Sequence, residues 1–350
     1  MTEKIRAAVF GKEAGDIHIE EFDLPDLKPE EVLVKIDACA ICTWEQRIYK
    51  GINKVELPFV GGHEMAGRIV ALGNEVDTDE WSVGDHVALC MIKPCGSCFQ
   101  CKTGNEQNCV HFGKDRKVRA LPYKGIGGLS TYFIATIKNL FRYENTVPPE
   151  EAAFSEPLSC VIHSIESADI RLGDTVLVVG CGIMGMFHML LAQRKGARVI
   201  VADPNEERMK LALKLGASFA VNPQKENLKE RVKEITGGIM AQEVFHTIPI
   251  ADAVPVSIGC LSNKGKLVLY SSFHPDKPVS FDPGWLHSSG ACIMGTANSN
   301  SRDFTEATRL IAGGIVDVKP FISEVYPFEK VKDAFESACK GDKFRVIVKF

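Results

Sequence analysis

Cys95, Cys98, Cys101 and Cys109 form the most reactive cluster of side chains in this sequence. Their two-residue gaps bring the first three sulfurs into one tight loop, for which Pro94, Gly96 and Gly104 supply the turn chemistry. Four thiolates at such spacing wrap one tetrahedral zinc, with Zn–S near about 2.3 Å. The competing reading is a pair of disulfides. The N-terminal residues hold no apolar signal core, so a reducing, cytoplasmic setting is expected, in which thiols stay available to metal. Cys39, Cys90, Cys181, Cys260, Cys292 and Cys339 lie in apolar surroundings and read as buried thiols.

A second set of candidate ligands is dispersed. Cys42 follows a predicted strand, His63 and Glu64 sit in a glycine-flanked loop entering another, and Glu156 precedes Pro157. Taken singly, these read equally well as a core thiol, a solvated turn and a helix cap. Mixed sulfur, nitrogen and oxygen donors on separate segments are also how catalytic zinc sites are built, with one position left for water or substrate.

Gly180, Gly182 and Gly185, with Ile183 and Met184 between them, follow a run of valines and open a helix, and Asp203 closes the next predicted strand. That context makes the triplet a dinucleotide fingerprint. The first glycine allows the tight turn, the second admits pyrophosphate to the backbone, and the third lets the helix pack on the sheet. Asp203 accepts from ribose hydroxyls and repels a 2′-phosphate, so NAD is favoured over NADP. Arg208, five residues on, weighs against a strict preference.

These sites need elements to position them. A chain of 350 residues, 45% apolar and 25% charged, is long for one core and predicts two domains. Its net charge of −4 argues against a nucleic-acid partner. Lys102 and the basic run from Lys114 to Lys117 have no aromatic stacking platform beside them. The uncharged stretch from Thr175 to Gln193 holds three glycines and a histidine and reads as strand, turn and helix rather than a membrane span. To about residue 145, short β-like runs alternate with turn residues, predicting an irregular, mostly antiparallel β domain. From about 173, strands and helices alternate, predicting an α/β doubly wound parallel sheet.

Taken together, the Gly-His-Glu-x-x-Gly run at 62–67, the four-cysteine loop, Gly127-Gly128, Glu156-Pro157-Leu158 and the fingerprint with Asp203 resemble the zinc-dependent medium-chain alcohol dehydrogenases, in the branch of polyol (sorbitol) and threonine dehydrogenases. The resemblance runs essentially end to end. It implies a GroES-like catalytic domain at 1–155 and 297–350, a Rossmann NAD-binding domain at 156–296, and two zinc ions per subunit. One is structural, on the four clustered cysteines. The other is catalytic, on Cys42, His63 and either Glu64 or Glu156. It further implies that Glu45 orients His63, that Cys160 lies near the nicotinamide, and that the subunits assemble as dimers or tetramers. The implied activity is reversible, NAD-dependent oxidation of a secondary alcohol, such as a polyol, sugar alcohol or sugar-derived acid, to its ketone. The alternatives are threonine 3-dehydrogenase-like chemistry, for which Arg47 or Lys93 would clamp a carboxylate, and a NAD-binding scaffold with altered catalysis.

One residue departs from the family pattern. Trp44 stands where the family has Ser or Thr starting a proton relay, and an indole N–H donates but does not accept a proton. A pocket wall against the C–H face of a sugar, with Met91 and Phe112 nearby, and plain core packing are the two readings of this tryptophan. Without the hydroxyl, a glutamate at the metal would have to take the proton.

Overall fold

Glu31–Ala40 reads Val-Leu-Val-Lys-Ile after its first residue and forms the central strand of a seven-stranded sheet. The computed structural model describes residues 4–92, 94–113, 117–273 and 275–350. Lys93 and the basic residues at 114–116 lie outside these. The central strand pairs antiparallel with Glu64–Leu72, in a register that sets Ala40 opposite Glu64, and with Arg345–Lys349, setting Ala40 opposite Ile347. Three strand ends therefore meet at one edge: the exit of the central strand toward Cys42, the entry at Glu64 and the entry at Arg345. Ile41 N–H donates to the Val346 carbonyl and holds that edge together.

The chain divides into two units, residues 1–159 with 299–350, and 160–298. In the first, Phe10, Ile36, Phe59, Met65 and Phe335 form the core. Burial of such side chains contributes roughly 1.5–3 kcal/mol each. The helix Thr43–Tyr49 lays Ile48 and Tyr49 into this core, with the Tyr49 and Phe335 rings 5.4 Å apart.

The second unit holds six parallel strands in the order Phe219–Val221, Arg198–Ala202, Thr175–Val179, Ala241–His246, Leu261–Leu269 and Cys292–Gly295. The central members are runs of buried valine, leucine and isoleucine, as required of strands covered on both faces. This is the mostly antiparallel β domain plus doubly wound parallel sheet anticipated above.

Three local expectations need correction. Cys292 is exposed, on the strand that ends the order among the described residues. Cys339 is half-buried rather than buried, since it caps the helix Val331–Ala338. Glu156 does not cap a helix at Pro157; it lies in the first turn of Ser155–Ala168. Among the described residues, no helix is long and apolar enough to cross a membrane.

Candidate active site

The helix Thr43–Tyr49 starts on Cys42, whose extended backbone makes it the cap residue. Helical spacing then turns Glu45 inward, where it is 1% exposed, and leaves Thr43 in solvent. Glu45 Oε1 sits 2.6 Å from His63 Nδ1 and accepts from Gly62 N–H at 3.0 Å. Gly62 has φ +91°, and a Cβ there would lie 2.4 Å from Leu129 N. The Gly61-Gly62 turn is itself pinned by Gly128 N–H and Leu129 N–H donating to the carbonyls of Gly62 and Gly61. Only glycine satisfies both demands, which accounts for the Gly-Gly pairs on the two segments.

Donor atoms of Cys42, Glu45 and His63 lie within 4.8 Å of one another, and so do those of His63, Glu64 and Glu156. His63 is the shared member. Its Nδ1 is engaged by Glu45, so a neutral imidazole presents Nε2 as a lone-pair donor. Burial lowers the His63 pKa, but Glu45, Cys42 and Glu156 outweigh it and hold the imidazole well above its ordinary value. Burial, followed by the Glu64 charge, pushes the Cys42 thiol up. Protons are thus retained on a thiol and an imidazole among carboxylates, and a divalent cation satisfies the same acceptors by displacing them. The donor set fits zinc.

The two glutamates differ. Glu64 is fully buried, and both its oxygens accept from Arg345, Oε2 from Nε and Oε1 from Nη2, each at 2.7 Å. Glu156 is half-buried. The Arg345 Nη2 also approaches Cys42 Sγ at 3.9 Å. Arg345 escaped the sequence reading. Its only local signal is a cation placed directly before the apolar run Val346-Ile347-Val348.

Trp44 meets the His63 ring edge-on, at 6.0 Å between centroids and 76°, and the Phe59 ring at 5.8 Å. It therefore packs on the core and on the candidate metal site at once. Met91 is partly buried against the same core. Cys160 is half-buried on the helix Ser155–Ala168.

In the four-cysteine loop, Sγ–Sγ separations are 3.5 Å for Cys98–Cys101, 3.9 Å for Cys95–Cys101 and 3.9 Å for Cys98–Cys109. A tetrahedron with Zn–S of about 2.3 Å has edges of about 3.8 Å. Hydrogen bonds from Ser97 and from Cys98 N–H bring the Cys95 thiol down to about 5. The loop is shaped for one metal ion.

The glycine fingerprint divides its labour as expected of a dinucleotide cradle. Gly180 has φ +105°, and a Cβ there would lie 2.5 Å from Ile248 Cγ2. A Cβ on Gly185 would lie 1.8 Å from the Gly180 carbonyl oxygen, whereas one on Gly182 would meet nothing within 4 Å. Gly182 caps the helix Ile183–Arg194 with no side-chain hydrogen bond, which leaves its N-terminal amides to an anion. Asp203 is 6% exposed; it accepts from Cys181 N–H at 2.7 Å and from Asn205 N–H at 2.8 Å. Arg208, on the helix Glu206–Lys214, is half-buried and bears electrostatically on Cys181.

A separable pair of outcomes follows. Gly185→Ala overpacks and is expected to cost about 1–3 kcal/mol of stability. Gly182→Val should leave the melting temperature nearly unchanged while weakening NADH binding, read by fluorescence titration, by at least about tenfold, because its side chain fills the open space.

Two family models match the chain: an alcohol dehydrogenase GroES-like domain over residues 28–145 and a zinc-binding dehydrogenase domain over 184–313. Erythritol/L-threitol dehydrogenase of Mycolicibacterium smegmatis is 32% identical over 93% of this chain and 92% of its own. L-threonine 3-dehydrogenase of Bacillus velezensis is 26% identical over 99% of each. The solved structure of benzyl alcohol dehydrogenase from Acinetobacter calcoaceticus superposes with a TM-score of 0.90, at 26% identity over 99% of each chain.

Proposed function

The chain belongs to the zinc-dependent medium-chain alcohol dehydrogenases, and from that premise we propose a reversible, NAD-dependent oxidation of a secondary alcohol of the polyol class at Cys42, His63 and Glu156. One observation carries this reading: two sets of donors share His63, one with Cys42 and Glu45 and the other with Glu64 and Glu156, and Glu45 fixes the imidazole. Zinc, when bound, supplies Lewis acidity for the substrate oxygen, and the nicotinamide accepts the hydride.

The chain's own residues do the rest. Glu45 holds His63 in the tautomer that presents Nε2 and raises its basicity. Arg345 occupies both oxygens of Glu64, so Glu156 is the oxygen donor to the metal and Glu64 neutralises the buried guanidinium behind it. Trp44 steadies the His63 ring edge-on and offers an apolar wall to the C–H face of a sugar. No hydroxyl at position 44 takes a proton from the substrate. The four-cysteine loop holds a second, structural zinc worth on the order of 10 kcal/mol to its folding at neutral pH. Asp203 supports NAD as the coenzyme, and dimers or tetramers in a cytoplasmic setting accord with the family resemblance.

The test is NADH formation across sugar alcohols, inositols, sugar acids and threonine, with NAD and NADP in parallel. The proposal expects turnover of at least one polyol-class alcohol with NAD. Silence with every polyol and sugar acid, beside turnover of threonine, would replace it by the amino-alcohol reading. Asp203→Asn removes the charge that repels a 2′-phosphate, beside a resident Arg208. The ratio of kcat/KM for NAD over NADP should fall about tenfold or more; an unchanged ratio would remove Asp203 from coenzyme selection.

A further inference from the structure

Burying a cation without a partner is costly, so buried and half-buried arginines normally meet carboxylates. Arg6, Arg68, Arg119, Arg231 and Arg345 do so here, with Glu329, Asp37, Glu31, Glu234 and Glu64. Arg47 is half-buried, on the last turn of the helix that Cys42 caps. Among the described residues its guanidinium has no hydrogen-bond or ion-pair partner.

Its position is specific. Arg47 follows Trp44 by three residues, which on a helix makes the two side chains neighbours. Its charge bears on the Cys42 sulfur, and burial holds its guanidinium below its ordinary value. The helix is fixed from both sides, by Ile48 and Tyr49 in the core and by Ile52 N–H and Asn53 N–H donating to the Arg47 carbonyl. The guanidinium stays charged in any such setting and offers a planar fork that matches a carboxylate or phosphate in two parallel hydrogen bonds.

We propose that Arg47 is the anion receptor of the substrate pocket, and that the alcohol oxidised carries a carboxylate or phosphate group. This rests on the dehydrogenase reading above and narrows its substrate class from neutral polyols to sugar acids or polyol phosphates. Trp44 then faces the carbon chain of the substrate while Arg47 binds its charged end.

The experiment uses the zinc-loaded protein at saturating NAD and matched substrates: erythritol against erythronate, and D-arabitol against its 5-phosphate. The expected result is a kcat/KM favouring an anionic member by about tenfold or more, and the pair with the larger ratio distinguishes carboxylate from phosphate. Arg47→Leu should cut that ratio by about 10- to 100-fold, through KM rather than kcat, and raise the calorimetric Kd of the anionic member on the NADH-loaded protein in parallel. Arg47→Lys should recover part of it, since the charge returns without the fork. Should the leucine variant not fold, Arg47→Gln carries the same test.

An unchanged ratio with a raised KM for NAD would overturn the proposal and assign the guanidinium to the coenzyme's phosphates. NADH from the neutral members alone would overturn it while leaving the dehydrogenase reading intact. No NADH from either pair would overturn it as well, and the wider alcohol panel then decides the dehydrogenase reading.

Discussion

Cys42→Ala is expected to lower kcat/KM for the alcohol by about a thousandfold or more. A Lewis acid bound there would supply several kcal/mol of stabilisation to charge developing on the substrate oxygen, and each 1.36 kcal/mol is about tenfold in rate. Cys42 contributes the sulfur among donors otherwise limited to an imidazole and carboxylates. NADH appearance under saturating NAD measures the loss. A variant that kept a tenth of wild-type activity would exclude Cys42 from the reaction.

Arg345→Met is expected to destabilise the protein by about 3–5 kcal/mol, the cost of leaving a buried carboxylate without its partner. Glu64 is fully buried and its two oxygens depend on that guanidinium. The double variant Arg345→Met with Glu64→Gln should regain much of the loss, because a neutral pair of similar volume avoids the uncompensated charge. Two units preclude a simple two-state treatment, so the comparison is of unfolding midpoints across wild type, both single variants and the double. Additive losses would show that the ion pair is not a unit.

The features legible in the sequence are those whose parts are close together in it. Four cysteines inside one loop imply a tetrahedral site by spacing alone, and the Sγ separations agree with it. Valines followed by Gly180, Gly182 and Gly185 imply a strand, a turn and a helix, and the backbone follows. Cys42, His63 and Glu156 were another matter. Each has an ordinary structural reading, and only the end-to-end resemblance joined them. The approach of Cys42 to His63 depends on strand register, with Ala40 opposite Glu64, which no local pattern encodes.

Arg345 shows the same limit more sharply. It pairs with Glu64 across 281 positions of sequence, and nothing in the run Arg-Val-Ile-Val-Lys announces a partner. The exposure of Cys292 goes with the strand that ends the order among the described residues, a property of the strand order rather than of its neighbours in sequence. The helix Thr43–Tyr49 is short and starts on Cys42 with no side-chain cap, so no local signal announces it. That helix is what turns Glu45 inward and sets Arg47 beside Trp44.

The central claim is that a zinc ion held by Cys42, His63 and Glu156 is separate from the one in the four-cysteine loop, and that oxidation of the alcohol depends on it. Elemental analysis of zinc per chain, on wild type and Cys42→Ala purified with ample metal, tests it most directly. Two equivalents in the wild type, falling to one in the variant together with loss of NADH formation, are what the two clusters of donors predict. A single equivalent in both proteins, with NADH formation retained in the variant, would contradict it.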